Sequence, residues 1–123
     1  MAYPTRQTGL EIHQRRQGTC TVVEVAGELD MNAVPRLRAE LDVALKARRP
    51  PRMVLDLSAT AFCDSLGLGL LVSTLNRVRE TGGALALVVA PGMISRLLTI
   101  TNLDRHFATF DTADDAVRGL EAA

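Results

Sequence analysis

The chain has 123 residues, and its 14 Lys and Arg residues are balanced by 14 Asp and Glu residues, so the formal net charge is zero. This balance argues against electrostatic capture of nucleic acid or anionic lipid, and the scarcity of aromatic residues argues against base stacking on single strands. The length fits one domain with a single core.

The two ends and the two cysteines set further limits. Residues 1–8 are polar and lack the apolar segment of a signal peptide, and the longest strongly apolar run, residues 84–90, is too short to span a bilayer. We therefore expect a cytoplasmic protein with a flexible tail over residues 1–8 and a single domain over residues 9–123. Cys20 and Cys63 lack the spacing of a metal motif, so we expect two buried free thiols, no metal and no cofactor.

Two strands are predicted at the start of the chain. Apolar and polar residues alternate over residues 10–16, Gly18 is suited to a turn, and residues 19–26 are rich in β-branched side chains. We expect these segments to pair as an antiparallel hairpin.

The first predicted helix covers about residues 33–47. Asn32 or Asp30 can cap it, and Pro50-Pro51 ends it. Apolar residues recur along it with helical spacing at Val34, Leu37, Leu41, Ala44 and Leu45.

A strand, a short polar turn and a second helix are predicted at the centre of the chain. Residues 53–57 form an apolar run of strand length, and helical spacing follows Asp64-Ser65 and continues to about Glu80. Ser65 would lie at the start of this helix, near backbone N–H groups that have no partner inside the helix. The inward face of the helix is predicted to carry Leu68, Leu71, Val72 and Leu75.

The rest of the chain alternates strands and helices. The continuous apolar run over residues 84–89 is typical of a strand inside a sheet. Helices over about residues 93–100 and 113–121 enclose a short strand near residues 107–110. The order β-β-α-β-α-β-α-β-α predicts an α/β fold whose mixed sheet has one antiparallel edge pair and is otherwise mostly parallel.

Ser65 has three interpretations. The first is a helix cap, the commonest role of Ser before an apolar helical run. The second is a hydrolase nucleophile, but the G-x-S-x-G motif has Cys63 in place of its first glycine, and only His13 and His106 could act as the base. The third is a phosphorylation site, because a helix N-terminus tolerates the added charge of about −1.5 to −2.

Other residues near Ser65 also allow two interpretations. Glu28 and Asp30 could be hydrogen-bonding caps, or they could border a binding rim with the Ser65 loop if both loops emerge at one end of the sheet. Gly67 and Gly69 could admit a closely approaching backbone or partner, or they could let the helix pack tightly on the sheet.

These residues resemble a known family signature. Asp56-Leu57-Ser58, Phe62 and residues 64–69 are similar to the D-L-S…F-x-D-S-x-G-L-G signature of bacterial STAS-domain anti-sigma factor antagonists. Residues 27–30 are similar to the G-E-L-D segment of that family, and Asn102-Leu103 with Phe107 resembles its late G-L…F segment. The resemblance covers the chain from Leu10 onward.

The resemblance implies a partner-switching protein without catalysis of its own. In the family, the unmodified form binds an anti-sigma factor that is also a serine kinase, so a sigma factor is released and transcription changes. Phosphorylation of the serine ends binding, and a phosphatase restores it. The resemblance makes Ser65 the phosphorylation site, and the implied partner-binding residues are Glu28, Asp30, Asp64, Ser65, Leu66, Gly67 and Leu68.

The sequence departs from the family pattern at three positions, and two alternative functions remain open. Leu66 replaces a frequent second Ser or Thr, Cys63 replaces an aliphatic residue, and Asn102 replaces a common Gly; Asn tolerates the left-handed conformation, so we expect little change there. One alternative is a STAS module that does not switch and binds a small ligand or another regulator. The other is a small serine hydrolase, which would require a histidine within hydrogen-bond reach of Ser65 Oγ.

Overall fold

The computed structural model describes residues 9–122. In this range the elements follow the predicted order: β1 (Leu10–Gln17), β2 (Cys20–Leu29), α1 (Val34–Ala47), β3 (Arg52–Cys63), α2 (Ser65–Glu80), β4 (Ala84–Val88), α3 (Met93–Ile100), a short 3-10 turn (Leu103–Arg105), β5 (Ala108–Phe110) and α4 (Ala113–Ala122). The tail expected over residues 1–8 lies outside the described residues, and the single domain over residues 9–123 stays a prediction.

The strands form one five-stranded sheet in the order β1-β2-β3-β4-β5. β1 is antiparallel to β2, and every later neighbour is parallel. Gly18 has a φ of 59° in the tight turn between β1 and β2, a conformation that glycine adopts without steric cost. The mixed sheet with an antiparallel edge pair is therefore confirmed.

Helices cover both faces of the sheet. On one face, α1, α2 and α3 bury a large apolar cluster that includes Leu37, Leu71 and Leu98. On the other face, α4 packs Ala116, Val117 and Leu120 against residues of β2, β3 and β4. Since each helix buries one apolar stripe, the sheet between them is shielded from water at its centre.

The two central strands are longer than predicted. Residues 58–63, expected as a polar turn, continue β3, and β2 runs on through residues 27–29. Their pairing resumes with Ala26 opposite Ala59, after a register shift around Val25. The Thr60 hydroxyl donates a buried hydrogen bond of 2.7 Å to the Val25 carbonyl at this shift. The polar residues and the shift remove the alternation by which a strand is recognised in sequence.

The buried face of α2 also differs from the prediction. The buried residues are Gly67, Leu70, Leu71, Thr74, Leu75 and Val78. Leu68 and Val72 are only partly buried at the border of the core. The helix can turn Thr74 inward because its hydroxyl donates to the Leu70 carbonyl at 2.7 Å and so remains satisfied.

Within residues 9–122, no helix combines the length and apolar character that crossing a membrane requires. The expected cytoplasmic location stays a prediction.

Candidate functional site

Asp64 begins α2 at the point where β3 ends. Its backbone is extended, with φ −92° and ψ −176°, and its Oδ1 accepts a hydrogen bond of 2.9 Å from the Gly67 N–H. This is the geometry of an N-cap carboxylate at the positive end of a helix. The interpretation of Ser65 as the cap is therefore wrong, because Asp64 has that role and Ser65 is the first helical residue.

Asp64 also holds the segment between β2 and α1. Its Oδ2 accepts a hydrogen bond of 2.9 Å from the Met31 N–H, and its own N–H donates to the Leu29 carbonyl at 3.2 Å. One carboxylate thus binds the first turn of α2 with one oxygen and the β2–α1 segment with the other. The two segments expected to form a binding rim are joined at one end of the sheet.

Asp30 stabilises the turn that leads into α1. Its Oδ1 accepts hydrogen bonds from the N–H groups of Asn32 at 3.0 Å and Ala33 at 3.1 Å. The helix itself begins at Val34 without a side-chain cap. Asp30 therefore acts one turn earlier than a helix cap, and it orders the segment that carries Met31.

Ser65 is exposed at the start of α2. Its hydroxyl makes no hydrogen bond to any part of the chain that the structure describes, whereas the Ser58 hydroxyl donates to Asp56 Oδ1 at 2.6 Å and the Ser73 hydroxyl donates to the Leu70 carbonyl. The Ser65 hydroxyl is therefore accessible to an enzyme, and it lies at a helix end whose first N–H groups lack intrahelical acceptors.

The two glycines of the segment have different surroundings. Gly67 is buried, and a Cβ at this position would lie 2.6 Å from the Leu29 carbonyl oxygen and 3.0 Å from Cys63 Sγ. Gly69 is exposed, and a Cβ there would meet nothing within 4 Å. Close packing therefore explains Gly67, whereas no contact among the described residues requires Gly69.

Cys63 lies in the core directly before this site. The residue is 2% exposed, and its thiol donates to the Asp64 carbonyl at 3.4 Å. Burial, and then the nearby charge of Asp64, raises the pKa of Cys63 to about 11. Burial also raises the pKa of Cys20, and both cysteines are free, as expected from the sequence.

The raised thiol pKa predicts a loss of stability at alkaline pH. The unfolded Cys63 thiol ionises near its ordinary pKa of 9.0, whereas the folded thiol stays protonated up to about 11. The unfolded chain therefore binds fewer protons in this range, so the free energy of unfolding should fall between about pH 9 and pH 11. Urea denaturation across this range would measure the slope. The Cys63→Ala variant should have a shallower slope, and an equal slope would contradict the assignment to Cys63.

The predicted site residues divide into exposed and packed groups. Glu28, Ser65 and Leu66 are exposed. Asp30 and Asp64 are half-buried, and both accept hydrogen bonds from backbone N–H groups. Gly67 is buried, and Leu68 packs partly against the core. These two residues can shape the site but offer little surface to a partner. The assignment of all seven to partner binding stays a prediction.

Sequence reasoning missed two apolar side chains at this end of the sheet. Met31 is 62% exposed in the segment that Asp64 holds, and Phe62 is 39% exposed on β3 opposite Glu28. The available signal was a large apolar residue near polar ones, with Met31 between Asp30 and Asn32 and Phe62 two residues from both Thr60 and Asp64. Such residues normally mark contacts with another molecule when they lie together.

Neither histidine can serve Ser65 as a base. The His106 carbonyl accepts a hydrogen bond from Arg79, which lies 14 residues, or about 21 Å, along α2 from Ser65. His13 pairs with Glu24 at the level of Asp56, about 23 Å of strand before the end of β3. The geometry therefore does not support the serine hydrolase alternative.

In the range 9–122, no group of three or more His, Cys, Asp or Glu side chains is arranged to hold a metal ion.

Comparison with known proteins identifies the family of this chain. The STAS domain model matches residues 11–116. The chain is 28% identical over 112 residues to the anti-sigma F factor antagonist of Paenibacillus polymyxa, covering 91% of this chain and 96% of the relative. It is 31% identical over 100 residues to the anti-sigma-F factor antagonist RsfB of Mycobacterium tuberculosis, covering 80% of each.

The crystal structure of an anti-sigma factor antagonist from Mycobacterium paratuberculosis has the same fold. It superposes with a TM-score of 0.85 at 27% identity and covers 96% of this chain and 99% of that chain. The match over residues 11–116 confirms the resemblance noted in the sequence, and the chain belongs to the STAS domain family.

Proposed function

We propose that this chain is an anti-sigma factor antagonist that is switched by phosphorylation of Ser65. The unmodified form binds an anti-sigma factor with serine kinase activity, which releases a sigma factor and so controls transcription. The observation that carries the proposal is the exposed Ser65 hydroxyl, which has no hydrogen bond among residues 9–122 and begins α2. The names of the relatives support the class of partner.

The surroundings of Ser65 can accept a phosphate without unfolding. The phosphate would lie at the positive end of α2, where free N–H groups and the helix dipole favour an anion. The helix would keep its cap, because Asp64 provides that hydrogen bond and Ser65 does not. Phosphorylation should therefore change the surface of the protein rather than its fold.

The modified surface would no longer fit the partner. A phosphate adds about −1.5 to −2 charges and considerable bulk. A partner packed against Ser65 would have to remove water from that charge, which is costly unless the partner supplies matching donors. A phosphatase could reach the same exposed position and restore binding.

Mass spectrometry after incubation with candidate anti-sigma factor kinases and magnesium ATP would test the proposal. We expect one phosphate on Ser65, no phosphate on the Ser65→Ala variant, and removal by a cognate phosphatase. Ser58→Ala is the matched control, because Ser58 is also exposed but its hydroxyl is bound to Asp56. It should be modified like the parent. A phosphate on another residue, or binding to no kinase, would overturn the proposal and favour the ligand-binding STAS module.

A further inference from the structure

Two exposed apolar side chains lie in the two segments that Asp64 joins beside Ser65. Met31 is 62% exposed and Leu66 is 55% exposed. Single exposed apolar residues are ordinary on a protein surface, so their location decides whether they are informative. Met31 follows the end of β2, and Leu66 is the second residue of α2, directly after the residue that a kinase would modify.

The two side chains are held in a fixed relation by Asp64. One of its carboxylate oxygens accepts the Met31 N–H and the other accepts the Gly67 N–H, which directly follows Leu66. Asp30 fixes the other end of the Met31 turn through its bond to the Ala33 N–H. Because both backbone segments are already ordered, burying these side chains against a partner costs side-chain entropy but little additional backbone entropy.

The two segments that carry these side chains contain acidic residues and no basic ones. Residues 27–35 and 60–70, which supply this end of the sheet, contain no Lys, Arg or His, and their acidic residues are Glu28, Asp30 and Asp64. The next basic residue along the chain, Arg36, donates to the Leu10 carbonyl. In a chain of zero net charge, the Lys and Arg residues are therefore concentrated elsewhere.

We propose that Met31 and Leu66 are the apolar anchors of the docking surface around Ser65, and that the partner presents an apolar pocket ringed by Lys or Arg. This inference rests on the proposed function and adds the chemistry of its partner. The exposed carboxylate of Glu28 belongs to the rim, where charge steers association. An anionic partner surface is disfavoured by the same carboxylates.

This arrangement changes how a negative charge on Ser65 would act. A partner with a basic rim attracts an anion at long range, so like-charge repulsion does not explain loss of binding. On a docking surface with apolar anchors, however, the anion would have to lose its water against an apolar pocket. The loss of affinity caused by Ser65→Asp should therefore persist at high salt, whereas a loss caused by repulsion would shrink as salt screens it.

Affinity measurements with the kinase that phosphorylates Ser65 would test the anchors. Met31→Ala and Leu66→Ala should each weaken binding about tenfold, the effect typical of a buried anchor. Val43→Ala is the matched control, because Val43 is also 62% exposed but lies on α1. It should bind like the parent. If Met31→Ala and Leu66→Ala also bound like the parent, the assignment of these two side chains as anchors would be wrong.

Association rates would test the charge of the partner. Glu28→Gln should slow association and reduce its dependence on salt, with little change in dissociation. Faster association would mean that the partner surface is acidic and would overturn this inference. If the kinase phosphorylates and binds the parent protein and binds the Met31→Ala and Leu66→Ala variants equally well, the inference is contradicted but the proposed function is not. A parent that binds no kinase would contradict the proposed function as well.

Discussion

Replacing Gly67 with alanine is expected to lower the free energy of unfolding by about 1–3 kcal/mol, the usual cost of inserting a methyl group into a tightly packed site. The new Cβ would lie 2.6 Å from the Leu29 carbonyl oxygen, and a backbone atom cannot move aside as the end of a flexible side chain can. The Asp64 N–H binds that same carbonyl. The substitution should therefore also disturb the Met31 segment and weaken partner binding.

Gly69→Ala is the matched control, two residues further along the same helix. A Cβ at Gly69 meets nothing within 4 Å, so only the higher helix propensity of alanine should act. We expect a gain of up to about 1 kcal/mol in the free energy of unfolding. Urea denaturation of both variants measures the difference. If the two substitutions had the same effect, the close packing of α2 against Leu29 would not be what requires Gly67.

Replacing Ser65 with aspartate is expected to weaken binding to the anti-sigma factor by more than about a hundredfold, since an unpaired buried charge costs about 3 kcal/mol or more. The fold should remain as stable as the parent, because an acidic residue in the first turn is favoured by the helix dipole. Titration calorimetry measures the affinity and thermal unfolding measures the stability. Ser65→Ala should bind like the parent.

Ser65→Asn separates charge from size in this experiment. Asparagine has nearly the shape of aspartate but no charge, so we expect it to bind far more tightly than Ser65→Asp. Equal losses for the two variants would mean that bulk alone prevents docking. Binding of Ser65→Asp as tight as that of the parent would show that charge on this residue does not switch the protein.

The order of elements and the sheet type could be predicted because each depends on local patterns. Apolar runs marked the parallel strands, and helical spacing marked the helices between them. The prediction for Asn102 was also local: its φ is 60°, so it adopts the left-handed conformation that asparagine tolerates where glycine is common. The family resemblance is confirmed by the match over residues 11–116.

The details of the site depended on contacts between distant parts of the chain. The sequence indicated that Asp64 belongs to the site, but not that its second oxygen binds the Met31 N–H, 33 residues earlier. The extension of β3 was hidden because a register shift and polar residues interrupt its alternation. The inward turn of α2 depended on how closely Gly67 approaches Leu29, a tertiary contact that no helical period encodes.

The unequal lengths of the strands have an evolutionary consequence. β4 pairs only with residues 52–56 of β3, so the last part of β3 and the end of β2 project past the β4–β5 half of the sheet. Substitutions at Glu28, Met31 or Leu66 therefore leave the strand pairing of β4 with β3 and β5 unchanged. After gene duplication, the copies could therefore diverge in the projecting part alone. Each copy could then bind its own regulator and not those of the other copies, while the rest of the fold stays the same.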